Sequence, residues 1–150
     1  MKRRLVEILA TAGYVGYIPV ASGTFGTAVG WLCYLFLQKS VLLFASWIAV
    51  GAVGGAAICT LAEEIFQEKD SHKIVLDEVV GYWVTMFLLP STAGYALAGF
   101  LLFRLFDVLK PLGIRRVQAW PGGWGVMVDD LLAGLLANLI LQAFRLVCGA

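Results

Sequence analysis

Asp77 and Glu78 stand side by side just ahead of an apolar run, and Asp129 and Asp130 do the same. Adjacent carboxylates repel, so such a pair in apolar surroundings needs a cation or a shared proton. Ionisable groups at membrane depth are functional candidates by default. A third group, Arg104, Asp107 and Lys110, is spaced i, i+3, i+6, which sets one acid between two bases on a single helical stripe. Its plain reading is a self-contained ion-pair ladder. Its chemical reading gives Asp107 to a metal and Arg104 and Lys110 to an anionic substrate. Pro111 ends that helix just past Lys110. The fourth group is a turn of glycines and hydroxyls at 21–27, with Ser22, Gly23, Thr24 and Thr27, opening a helix. Backbone N–H groups at a positive helix end suit a phosphate, although an ordinary Ser/Thr cap has the same composition.

Together these groups point to a divalent metal and a phosphate. Asp77, Glu78, Asp107, Asp129 and Asp130 are the candidate catalytic and metal-binding acids; Lys110, Arg104, Ser22, Gly23, Thr24 and Thr27 are the candidate phosphate-binding set. Mg²⁺ takes oxygen ligands and completes its octahedron with water and phosphate oxygens. Zinc would require His or Cys. His72 is the only histidine, in a polar loop, and Cys33, Cys59 and Cys148 are scattered, which reads as small buried apolar residues and not as a disulfide framework. The expected chemistry is metal-assisted hydrolysis of a phosphate monoester, with a phosphoenzyme on Asp129, Asp130 or Asp107 left open. No Lys-Ser/Thr pair follows the glycines, so a P-loop is excluded.

The elements that must hold these residues are membrane helices. The chain has 150 residues, 61% hydrophobic and 14% charged, against roughly 45–50% and about 25% in ordinary soluble domains. One domain over 1–150 is expected. A net charge of +1 argues against nucleic acid as a partner. The run 41–62 carries no charge and is long enough for the ~20 residues that cross a bilayer core. The run 25–38 precedes it across Lys39-Ser40, so the two read as a helical hairpin. The runs 79–89 and 93–103 are short spans, and 126–147 is the last. Gly26 and Gly30, and Gly51 and Gly55, mark faces for close helix packing, with a homo-oligomer as the secondary reading. The start imitates a signal peptide, but Glu7, Gly13, Gly16 and Pro19 interrupt it, so cleavage is not expected.

Threading the runs with the N-terminus inside places every Lys and Arg except Lys39 and Arg145 on the cytoplasmic side, as the positive-inside rule requires. The acids fall on the same side. The expected fold is all-α: a compact helical membrane protein with about four membrane-embedded helices and the site motifs at their cytoplasmic ends.

At these motifs the sequence resembles the phosphatidylglycerophosphatase A family over almost the whole chain. The resemblance rests on P-V-A-S-G-T-F-G at 19–26, I-V-L-D-E-V-V-G at 74–81, F-R-L-F-D-V-L-K-P at 103–111 and G-G-W-G-V-M-V-D-D-L-L-A-G at 122–134. It implies Mg²⁺ dependence and hydrolysis of the terminal phosphate of phosphatidylglycerophosphate to phosphatidylglycerol. It also implies a compact helical fold among membrane lipids and a place in bacterial anionic phospholipid synthesis at the cytoplasmic (inner) membrane. One departure is Leu112-Gly113, where the family commonly has an aromatic residue and a second proline. A CDP-alcohol phosphotransferase would show an Asp-Gly and Ala-Arg signature that is absent here. A non-catalytic transporter or scaffold would account for the spans and glycines but not for the one-sided acids.

Overall fold

The computed structural model describes residues 2–148, apart from the side chains of Leu112 and Arg115; expectations for those two side chains lie outside the described residues. The elements are α1 (Lys2–Ala10), a 3-10 turn (Val15–Tyr17), α2 (Ser22–Leu37), α3 (Val41–Phe66), α4 (Leu76–Met86), α5 (Ala93–Leu109), a 3-10 stretch (Pro111–Ala119) and α6 (Gly123–Cys148). Among the described residues there is no strand, in line with the all-α expectation.

The short helix α4 is the centre of the fold. Asp77 and Glu78 lie in its first turn, where negative charge complements the helix dipole. It stops at Met86 because Leu88 is held at a φ of 60° and Pro90 follows. Asp77, Val79, Val80, Gly81, Tyr82, Trp83, Thr85 and Met86 are all buried, because α2, α3, α5 and α6 each pack against it.

The turn between α2 and α3 falls where the sequence puts it, but the expected hairpin does not close. The two helices scarcely touch, and α4 takes the place between them. Their glycine faces explain this. A side chain on Gly26 would strike Val75 and one on Gly30 the backbone of Val79; on α3, Gly51 faces Val80 and Gly55 faces Met127 of α6. Both pairs therefore serve packing inside this chain. Between helices the closest backbone approach is that of α4 and α6, where a Cβ on Gly134 would collide with the carbonyl oxygen of Gly81. In turn, a Cβ on Gly81 would lie 2.7 Å from the Phe103 ring and 2.9 Å from the Asp130 carbonyl oxygen.

A helix that ends inside apolar surroundings leaves carbonyls in need of donors. Three polar residues of α6 supply them. The Asn138 amide donates to the Thr85 and Phe87 carbonyls at 2.8 Å each, Gln142 to Phe87 at 3.3 Å, and Arg145 to Leu88 at 3.0 Å. Asn138 and Arg145, out of place in an apolar run, are thus the cap of a neighbouring helix.

Two helices, α3 and α6, are long and apolar enough to cross a membrane, each with 26 residues and mean hydropathies of 2.1 and 1.9. At ~1.5 Å per residue each covers roughly 39 Å. Only 17% and 22% of their apolar windows are buried inside the molecule, whereas a soluble core helix would be mostly covered. By length and hydropathy two of the described helices thus qualify as full crossings, where about four membrane-embedded helices were expected. The helix α2 is apolar but has 16 residues, and α4 has 11 because protein, not lipid, surrounds it.

The N-terminal segment braces the loop ahead of α4. The Val75 N–H donates to the Ala10 carbonyl at 2.9 Å, and the Lys73 ammonium lies 5.8 Å and 5.3 Å from the Tyr17 and Phe66 ring centroids. The Tyr17 hydroxyl donates to Glu7, a bond that pushes its pKa up to about 12. Of the cysteines expected to be buried, Cys59 is, Cys33 is half-buried and Cys148 is exposed, because the last turn of α6 has no covering element.

Gly134→Val should overpack the α4–α6 contact at a cost of about 1–3 kcal/mol. A thermal midpoint in detergent several degrees below that of the unsubstituted protein is the expected result. An unchanged midpoint would mean that the two helices are not held by this contact.

Candidate active site

The helix ends meet around a cavity of about 360 Å³. Ser22 and Gly23 from the start of α2, Asp77 and Glu78 from α4, Arg104 and Asp107 from α5, Lys110 beyond it, and Asp129 and Asp130 from α6 all line it. Four segments scattered through the sequence thus form one site. A larger cavity of about 760 Å³ lies at the opposite end of the molecule, beside Tyr34, Ser91 and Arg145, and no acid lines it.

At the floor, one carboxylate oxygen each from Asp77, Glu78 and Asp130 lie within 4.8 Å of one another. Buried oxygens of Asp77 (Oδ1), Glu78 (Oε2), Asp129 (Oδ1) and Asp130 (Oδ2) have no hydrogen-bond partner among the described residues. Removing a carboxylate from water costs several kcal/mol unless a partner compensates, and like charges at this spacing add to the cost. Three convergent oxygens and unpaired lone pairs make a donor set that fits a hard divalent cation.

The other two acids are paired with bases. Arg104 donates to Asp107, and its Nη1 lies 3.9 Å from Glu78 Oε1. Lys110 donates to Asp129, which is 2% exposed. The stripe Arg104-Asp107-Lys110 is therefore not a closed ladder: its first half pairs internally, and Lys110 reaches across to α6. It can do so because α5 ends at Leu109 and Lys110 takes a left-handed backbone with φ 45°, ahead of Pro111.

Asp77 and Glu78 precede the apolar run of α4, and their carboxyls are held above the ordinary range. Burial is the main cause for both. The Glu78 charge adds to it at Asp77, and the Asp130 charge brings Glu78 to about 8. At Lys110 burial pulls the ammonium down, but the hydrogen bond to Asp129 and its charge outweigh that and raise it. Lys110 thus stays cationic beside the cavity.

The glycine turn contributes only in part. A Cβ on Gly23 would run into Glu78 Oε1 and lie 2.8 Å from Arg104 Nη1, so glycine lets the first turn of α2 press against the charged set. Ser22 lines the cavity and donates to the His72 carbonyl at 2.7 Å. The hydroxyl of Thr27 is buried and donates to the Gly23 carbonyl of its own helix at 2.8 Å, and Thr24 is not among the cavity residues. Neither threonine acts as a Ser/Thr cap, since Ala21 stands at the cap position of α2 with no side-chain cap bond. Asp70 and His72, outside the candidate set, also line the cavity. Asp70 accepts from Gln118 of the 3-10 stretch and has a φ of 51°. Only its place seven residues before Asp77 hinted at this in the sequence.

The chain is similar to known proteins over nearly its whole length. The family model for phosphatidylglycerophosphatase A matches residues 8–145. A Bacteroides thetaiotaomicron protein with the provisional name phosphatidylinositol-3-phosphatase is 34% identical over 99% of this chain and all of its own length. The phosphatidylglycerophosphatase A proteins of Haemophilus influenzae and Escherichia coli are each 32% identical, over 93% and 90% of this chain and 88% and 80% of theirs. No solved structure matches the chain. With its four motifs lining one cavity and a family match over nearly its whole length, the chain belongs to the phosphatidylglycerophosphatase A family and is a phosphatase.

Proposed function

We propose that this phosphatase removes the terminal phosphate of phosphatidylglycerophosphate in a Mg²⁺-dependent hydrolysis, giving phosphatidylglycerol and phosphate. The observation that carries this reading is the convergence of Asp77, Glu78 and Asp130 on one point beside Arg104 and Lys110. Those three acids would hold Mg²⁺, with Asp107 and Asp129 able to complete the set for a second ion. When bound, the metal supplies charge neutralisation at the phosphate oxygens and a more acidic water.

The chain's own residues do the rest. Arg104 has five N–H donors, and Asp107 takes one of its two terminal nitrogens, leaving others for a phosphate oxygen. Lys110 adds a mobile point charge. The first N–H groups of α2 lie at a positive helix end beside the cavity. Asp107 and Asp129 are held by their cationic partners at the cavity wall, where either can take a proton from an attacking water or bear a phosphoryl group. The relatives differ in the lipid that their names carry, so the lipid must be tested directly.

Purified protein should release phosphate from phosphatidylglycerophosphate in preference to phosphatidylinositol 3-phosphate, phosphatidic acid and a water-soluble phosphomonoester, and only with Mg²⁺. Asp130→Asn should lower kcat/KM at limiting Mg²⁺ by more than the ~10–100-fold typical of losing a partner behind a metal ligand, while the helix stays folded. Equal rates on all lipids, or near-normal turnover by Asp130→Asn, would sink this reading.

Metal binding should also release protons. Glu78 sits at about 8, so at neutral pH its carboxyl is largely protonated in the metal-free protein and must ionise to bind a cation. Apparent Mg²⁺ affinity should then fall as pH drops from 8 to 6, and titration calorimetry in buffers of different ionisation enthalpy should reveal proton release. Affinity independent of pH over that range would exclude Glu78 as a ligand.

The proposed setting is the bacterial inner membrane with the cavity open to the cytoplasm, supported by the one-sided Lys and Arg residues. In intact cells, cysteines at Ser40 and Ser91 should react with an impermeant thiol reagent after the native cysteines are changed to Ala. Cysteines at the exposed positions Lys69 and His72 should react only once the membrane is opened. Labelling of position 69 or 72 from outside would reverse the orientation.

A further inference from the structure

The seam between α2 and α5 joins two features. At one end Gly23 of α2 lies against Arg104 of α5, inside the charged cavity. Further along the same two helices lies a separate cavity of about 520 Å³, walled by Ala28, Trp31, Leu32 and Leu35 of α2 and by Ala93 and Ala96 of α5. Trp31 meets Phe100 between the two, with ring centroids 6.0 Å apart.

The wall of this second cavity offers almost nothing polar. The hydroxyls at its far end are already engaged: Tyr34 donates to Ser91 at 3.3 Å, and Thr92 accepts from the Tyr95 N–H at 3.4 Å. The outer lip is open, since Leu32 is 60% and Leu35 48% exposed. An apolar occupant matches this wall, and the exposed Leu32 and Leu35 give it a way in from the side. Its distance from the charged cavity sets the length. Ala96 and Ala93 lie eight and eleven residues before Arg104 on one helix, or roughly 12–17 Å at ~1.5 Å per residue. One leaflet of a ~30 Å hydrocarbon core is roughly 15 Å deep, the depth that a lipid's acyl chain spans when its headgroup is at the membrane surface.

We infer that the α2–α5 seam is an acyl-chain groove, which seats one fatty tail of the lipid phosphate while its headgroup occupies the charged cavity. The inference rests on the lipid-phosphatase reading and adds a tail-binding site to it. A second copy of the chain or a passing bilayer lipid would also be apolar, but neither would be tied to a phosphate at the other end of the seam. The groove makes tail length a determinant of specificity through Ala28, Ala93 and Ala96, whose small side chains leave the space.

The test compares two phosphatidylglycerophosphates with one headgroup and different tails, dioleoyl and dihexanoyl, on Ala28→Phe and Ala93→Phe. The ratio of long-chain to short-chain kcat/KM should fall about tenfold in each folded variant. An unchanged ratio would overturn the groove. Independently of turnover, a benzophenone amino acid at Leu32 should cross-link dioleoyl phosphatidylglycerophosphate more than phosphatidylcholine with the same tails in the same mixed micelle, and Ala28→Phe should suppress that preference. Equal capture of the two lipids, or capture of a second protein chain, would overturn the proposal. Absence of turnover on both lipids by the unsubstituted protein would count against the phosphatase reading alone, since cross-linking still decides the groove.

Discussion

Everything in this molecule is arranged around a helix that cannot satisfy its own ends. The helix α4 is short, enclosed by four others, and begins with two carboxylates. Neither its charges nor its last carbonyls can rely on bulk water, so both must find partners in the fold. At the far end Asn138, Gln142 and Arg145 of α6 donate to the carbonyls of Thr85, Phe87 and Leu88. At the near end Arg104 and Lys110 bring positive charge, yet buried oxygens of Asp77, Glu78 and Asp130 remain unpaired. The imbalance is a thermodynamic cost to the protein alone, and unpaired carboxylate oxygens are the donor type that a hard cation takes.

Glycine is what permits this arrangement. Gly26, Gly30, Gly51 and Gly55 let α2, α3 and α6 close around their neighbours, and Gly81 and Gly134 bring two backbones into contact. Close backbone packing substitutes for the hydrophobic drive that lipid does not provide. It also fixes the acids: Asp130 is one turn from Gly134, and Gly81 is one turn from Asp77, so the contact that locks α4 on α6 also sets the separation of their carboxylates. Gly23 extends the logic to α2, whose first turn lies so close to Glu78 and Arg104 that a Cβ there would push their charged ends aside. Packing and site geometry thus rest on the same small residues.

The two ion pairs at the cavity wall have different origins. Arg104 and Asp107 pair locally along α5, whereas Lys110 and Asp129 join α5 to α6 across a chain reversal that depends on Pro111. The local pair holds a guanidinium against the wall of the site. The long-range pair ties the end of one helix to the start of another and keeps a raised, charged lysine beside the acids. Removing either acid would therefore change the orientation of a base as well as the charge of the site.

The charged set of the cavity was legible in the sequence because charge is costly in apolar surroundings. In a chain with so few ionisable residues, Asp77, Glu78, Asp107, Asp129, Asp130, Arg104 and Lys110 stood out, and all of them line one cavity. The all-helical class and the long apolar helices α3 and α6 were legible for the same reason, since hydropathy acts locally along the chain. The sequence could not show that α4 is the hub, that α2 and α3 part to admit it, or that Thr27 spends its hydroxyl on its own helix. Nor could it reveal the capping role of Asn138 and Arg145, or bring Asp70 and His72 to the cavity. Each of these depends on which helix faces lie against one another. That choice is made by backbone contact at glycines and by the pairing of buried polar groups between segments far apart in the chain, and it exists only once the helices have packed.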